Sequence, residues 1–173
     1  MKKALLFLFV LVSSLSWAQA SYPTPPQSAN RLFYIQHSDN TNTYVYDFNA
    51  KNEAEPIAIH RILYAEDGST KELTPLQRKM AYGVTVKKLA PQRYSFTLAA
   101  TKNQLFYLEW VKAKPQVFTT IENQKLRVTR LFVEMTGQEG NFISKPKAIR
   151  FEGTDAKTGK RVVKTIAADQ FKF

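Results

Sequence analysis

Glu72-Leu73-Thr74-Pro75-Leu76-Gln77-Arg78-Lys79-Met80-Ala81-Tyr82-Gly83 decides the fold class, because it is the one stretch that reads as a helix with both ends marked. Thr74 is placed to cap by accepting from a free amide of the first turn, and Gln77, three residues on, to reach back and close a capping box. Pro75 occupies the first helical position, where its missing N–H is no loss. Gly83 follows where a left-handed terminating residue is expected. The four-residue spacing of Leu76 and Met80 points them at a core, with Gln77, Arg78 and Lys79 outward. A helix over 75–82 has about two turns and is not stable alone in water. The chain on either side must hold it, and that chain reads as strand.

Upstream, Leu32-Phe33-Tyr34-Ile35 is apolar on both faces, as in a strand inside a sheet or barrel. The polar cluster 38–42 turns the chain, and Thr43 to Phe48 places Tyr44, Tyr46 and Phe48 on one face, completing a hairpin. Ile57 to Ala65 is a third strand. Alternation puts Ile57, Ile59, Arg61 and Leu63 on one side and Ala58, His60, Ile62 and Tyr64 on the other. Residues 66–69 read as a turn into the helix.

Downstream of Gly83 every segment reads as strand: 84–88, then Tyr94, Phe96 and Leu98 in alternation, then 104–111, 116–121, 125–135, 148–152 and 161–167. Turn signals stand at 90–92, 122–124 and 155–159, and Gly137 and Gly140 mark a loose loop. Short strands at close spacing, with no repeat and no second domain boundary, predict an all-β fold. The expected form is a single antiparallel β-sandwich or β-barrel of about 8–10 short strands with one short helix.

Lys2 and Lys3, the apolar run from Ala4 to Val12 and Ala18-Gln19-Ala20 form a secretory signal peptide over 1–20, its apolar run too short to span a membrane. Residues 21–30, with Pro23, Pro25 and Pro26, read as a flexible extended leader, and 31–173 as the single β domain. Export to the periplasm or the outside is therefore expected. There is no cysteine, so a lipid-anchored lipoprotein is excluded, and stability must come from burial without disulfides.

The formal net charge of the chain is +11. Removing Lys2 and Lys3 takes the 25 basic residues to 23 against 14 acidic, a net of +9. A basic exported protein favours anionic partners, an envelope glycan, a phospholipid headgroup or a small anion, with peripheral membrane association compatible and nucleic acid least expected. His60, Arg61 and Tyr64 on the third strand, with Arg78 and Lys79 on the helix, are the candidate binding residues for such an anion. Arginine offers a planar fork suited to carboxylate or phosphate.

Catalytic signatures are sparse. Cysteine chemistry is excluded, and no phosphate loop, nucleophile elbow or zinc-protease helix occurs. His37 and His60 share no ligand spacing, so no metal or cofactor is expected. A hydrolase would need two carboxylates across a cleft, drawn from Glu66, Glu72, Glu109, Glu134 and Glu152. Glu109 stands out for its apolar neighbours: it is a carboxylate with a raised pKa, the partner of an arginine on a facing strand, or a rim group.

The phrases Asn30-Arg31-Leu32-Phe33-Tyr34-Ile35-Gln36, Asn40-Thr41-Asn42-Thr43, Tyr46-Asp47, Leu73 to Lys79 and Ala81-Tyr82-Gly83 resemble a bacterial family catalogued only as a domain of unknown function. The resemblance runs over nearly all of 31–173 and implies a secreted single domain, with no activity and no site residues. The expected function is therefore an exported binding or envelope-associated protein without evident catalytic machinery. A carboxylate hydrolase and a small outer-membrane β-barrel are the alternatives, the latter suggested by Phe171, Phe173 and the aromatic strands.

Overall fold

The computed structural model describes residues 22–136 and 145–171. The expected signal peptide, the Gly137–Gly140 loop and Phe173 lie outside the described residues. Eleven strands follow in order: β1 (Arg31–His37), β2 (Asn40–Phe48), β3 (Ile57–Ile62), β4 (Thr70–Glu72), β5 (Val84–Ala90), β6 (Arg93–Leu98), β7 (Thr101–Val111), β8 (Lys114–Ile121), β9 (Gln124–Met135), β10 (Pro146–Asp155) and β11 (Arg161–Ala167). All belong to one curled sheet, so the all-β expectation holds. The extra strand is β4, in a stretch whose start follows the turn read at 66–69; it pairs with His60, Arg61 and Ile62.

The long strand β9 organises the sheet. Along one edge its first residues pair with β8 (Phe118↔Arg127 to Ile121↔Gln124), and its later ones pair with β1 in parallel (Tyr34↔Arg130 to His37↔Val133). β10 runs along its other edge and carries β11. The sheet therefore forks at β9 into one wing of β1 to β4 and another of β5 to β8. The parallel pair makes the sheet mixed, where alternation and turn spacing alone suggested only antiparallel neighbours. The wings curl toward each other, and their inner faces form the core.

Alternation explains which residues fill it. Phe33, Tyr46, Phe96 and Phe106 are essentially fully buried. The Phe33 ring stacks on Tyr46 at 4.3 Å and lies parallel to Phe96 and Phe106, each 6.2 Å away. Phe151 on β10 and Phe171 near the C-terminus extend the stack at 6.4 and 6.3 Å. Such aromatic pairs add to the stabilisation from burial alone.

The outer face is held differently. Arg130 and Arg150 bracket Glu152, Arg150 also reaches Glu134, and both guanidinium groups lie over the Phe132 ring. The leader docks here. Buried Gln36 donates from Nε2 to the Pro23 carbonyl (2.7 Å) and to Thr43 Oγ1 (2.8 Å), the Tyr22 ring meets Phe132 edge-on, and Pro25 is buried. Residues 22–27 carry no regular secondary structure and are held against the sheet by these contacts. The interior is apolar, and among the described residues the outer edges of β4, β5 and β11 pair with no further strand.

The helix after Thr74 forms with its predicted start. Thr74 and Gln77 close the capping box and Pro75 stands in the first turn of α1 (Pro75–Gln77). It then widens into a π turn over Arg78–Tyr82, closed by a bond from the Gly83 amide to the Arg78 carbonyl (3.0 Å). Gly83 is extended (φ −64°, ψ 160°), not left-handed. It is needed for a different reason: a Cβ there would sit 2.1 Å from the Arg78 carbonyl oxygen. The wider winding also defeats the four-residue stripe. Leu76 and Met80, expected in the core, are 70% and 63% exposed. Leu73 before the helix and Tyr82 at its end anchor the element instead.

Candidate functional site

One end of the interior is not filled. Between β1, the π turn, the β6–β7 connection, β9 and β10 lies an apolar cavity of about 260 Å³. Its walls are Ile35 and His37 from β1, Tyr82 and Met80 from the π turn, Leu98, Ala100 and Thr101, and Leu131, Val133 and Ile149 from β9 and β10. Phe106 and Phe151 form its floor, so the aromatic stack and the cavity share a wall.

Strand geometry puts each group there. Phe33, Ile35 and His37 alternate along one face of β1, so the face that buries Phe33 also aims His37 inward. The π turn is tied across the opening by its own backbone: the Ala81 carbonyl accepts from the Ala100 amide (3.1 Å) and the Gly83 carbonyl from the Ala99 amide (2.8 Å). The Tyr82 carbonyl accepts from the Tyr46 hydroxyl (2.7 Å). The Tyr82 ring stacks on Tyr44 at 3.5 Å, and its hydroxyl lies 2.9 Å from His37 Nε2.

These groups are tuned toward neutrality. Burial holds His37 below the usual histidine range, with Asp39 opposing weakly. Burial, with Tyr44 beside it, pushes the Tyr82 hydroxyl well above the usual tyrosine range. The imidazole is therefore neutral at neutral pH, and it shares one hydrogen bond with the Tyr82 hydroxyl, whose direction is set by the ring tautomer. One polar atom is left over. Thr101 is 4% exposed and its hydroxyl, at the cavity wall, has no hydrogen-bond partner among the described residues. An unsatisfied buried hydroxyl beside empty space is a place for a ligand's polar atom.

The five residues expected to form an anion site are distributed over both faces of β3, the segment after it and the helical turn. His60 lies on the outer face, its Nδ1 4.0 Å from Asp47, which holds Arg31 at 2.7 Å. Burial lowers the His60 pKa, with Asp47 opposing. Arg61 points to the opposite face, across from Tyr44 in the register, and its Nε is buried with no hydrogen-bond partner among the described residues. Tyr64 reaches the leader, donating to the Thr24 carbonyl (3.4 Å). Arg78 makes an exposed 3.8 Å pair with Glu72, and Lys79 is exposed.

The candidate acids are mostly engaged as ion pairs. Glu109 sits between Arg93 (3.3 Å) and Lys125 (2.9 Å), the paired outcome of the three considered for it. Glu134 and Glu152 belong to the outer-face network, and Glu72 pairs with Arg78. Among the described residues no group of three His, Asp or Glu side chains is arranged to hold a metal.

His37 and Thr101 were passed over by sequence reasoning. The signal for His37 was present, since it continues the Phe33, Ile35 face. Thr101 gave none, because a threonine at a strand start is ordinary.

Fold and cavity together define a curled β-sheet domain with an apolar chamber at one end, capped by a short π turn. The chain belongs to the family described as a domain of unknown function, DUF4833, whose profile matches residues 33–165. No curated protein and no solved structure matches it.

Proposed function

We propose that this chain is an exported binding protein without catalytic machinery of its own, and that the cavity holds a small apolar molecule. The observation that carries this is the chamber itself: about 260 Å³ of unfilled space with apolar walls, a neutral His37–Tyr82 pair and one unsatisfied hydroxyl, Thr101. Protein interiors are otherwise close-packed, and concave apolar sites with a few placed polar groups are the usual form of small-molecule sites. The volume lies just under the ~300–1,000 Å³ of drug-sized sites. It suits a single hydrocarbon chain or a small ring bearing one hydroxyl or carbonyl, and excludes a two-chain lipid held whole. Export rests on the basic, apolar and small-residue succession of the first twenty residues.

The test is extraction. Protein purified without detergent is extracted with organic solvent and the extract analysed by mass spectrometry, beside an Ala100→Phe variant that fills the chamber. A single-chain or single-ring compound recovered from the wild type and lost from the folded variant supports the reading. The same compounds in the same amounts from both contradict it.

A second reading, a small anion held at Arg61, is favoured by the buried unpartnered Nε of that residue. Sulfate that raises the melting temperature of the wild type but not of Arg61→Met supports it, and equal effects on both argue against it.

A further inference from the structure

We infer that the turn carrying Leu76 and Met80 docks this protein on an anionic phospholipid surface, with the mouth of the apolar cavity turned to the bilayer. The inference rests on the cavity reading above and adds the partner from which the apolar ligand comes. Leu76 and Met80 are 70% and 63% exposed, the two most exposed large apolar side chains of the described residues. The others, Leu89, Leu105, Val111 and Val163, are 38–46% exposed and dispersed over β5, β7 and β11. Neither α1 nor the π turn has a buried residue, so Leu76 and Met80 are not packed into the core.

The location matters as much as the exposure. Met80 is both exposed and part of the cavity wall, so the turn carries an apolar side chain at the edge of the chamber. Charge selects the occupant. Arg78 and Lys79 stand between the two apolar residues, and Lys71 precedes them on β4. The acid nearby, Glu72, meets Arg78 only at 3.8 Å with both side chains more than half exposed, a pairing worth little in water that a lipid phosphate displaces. Apolar residues flanked by cations on a chain of net charge +9 without Lys2 and Lys3 complement an anionic interface, where each basic residue near the surface adds attraction. An apolar protein groove would not need the cations, and an acidic polymer would not need Leu76 and Met80. A single turn gives weak, reversible binding, which suits loading and release of a ligand.

Co-sedimentation with phosphatidylcholine vesicles, with and without phosphatidylglycerol, tests the proposal. Wild type should pellet with the anionic vesicles and remain in solution with the neutral ones, and high salt should weaken the association. Leu76→Ser should weaken it about tenfold through lost apolar burial, and Lys79→Gln about fivefold through the lost charge. Equal binding to both vesicle types, or Leu76→Ser binding like wild type, overturns the proposal. Titration with the uncharged fluorophore N-phenyl-1-naphthylamine, without vesicles, reads the cavity separately, because neither Leu76 nor Lys79 lines it. Vesicle binding without dye binding retains the docking turn and removes the cavity reading; dye binding without vesicle binding does the reverse.

Discussion

The two ends of the interior are built on the same strand faces and end up opposite in character. Around Phe33 the rings of Tyr46, Phe96 and Phe106 leave no room, and each is at most 1% exposed. Two and four residues further along the same face of β1, Ile35 and His37 border open space. Packing explains the first end completely. The second end gives stability up, since atoms facing a void lose dispersion contacts and the Thr101 hydroxyl lacks a partner among the described residues. The proposed ligand site rests on this contrast, because departures from close packing are concentrated at functional sites.

That contrast can be broken in several ways. The largest effect belongs to the filled end: Phe33→Ala should cost about 3–5 kcal/mol, measured by chemical denaturation. A loss below that of an ordinary surface substitution would show that the aromatic stack is not the centre of stability. Next comes Gly83→Ala, whose Cβ meets backbone that the π turn cannot move freely. It should cost about 1–3 kcal/mol and loosen the turn over the cavity, seen as faster hydrogen exchange at the amide of residue 83 than in the wild type.

At the empty end the sign reverses. Thr101→Val removes an unsatisfied hydroxyl at nearly constant shape and should raise the stability of ligand-free protein by about 1 kcal/mol. A decrease of that size would mean the hydroxyl has a partner in solution and the wall is not waiting for one. The smallest effect is on pH dependence. Burial depresses His37, so the unfolded chain takes up the proton at higher pH than the folded one. Its contribution is complete above the ordinary histidine pKa near 6.5 and is lost as pH falls through the lower folded value. The melting temperature should therefore fall from about pH 7 to about pH 5, and His37→Gln should flatten the slope. His60, also depressed by burial, accounts for what slope remains. Asp155, lowered to about 2 by bonds from Gln124 and Thr158, titrates outside that window.

Strand periodicity was legible wherever one face is buried: Tyr44 and Tyr46, then Tyr94, Phe96 and Leu98, sit as alternation requires. The helix start was legible because capping is local chemistry. The π turn was not, since its widening follows from tying Ala81 and Gly83 to residues 99–100, a contact that no local pattern announces. Leu76 and Met80 were misplaced for that reason. The parallel β1–β9 pairing was hidden because it joins strands about a hundred residues apart. His60 and Arg61 are polar residues in an apolar strand, and alternation places them on opposite faces, across from Val45 and Tyr44. A cavity is a property of what several strands fail to fill, so no single stretch could reveal it.

The central claim is that the empty end is a ligand site, and an N-phenyl-1-naphthylamine titration tests it most directly. Wild type should bind the dye saturably at one site, with enhanced fluorescence, and Ala100→Phe should lose at least tenfold in affinity while melting no lower than wild type. Equal dye binding by the two proteins, or none by the wild type after solvent extraction of any bound compound, would contradict the account.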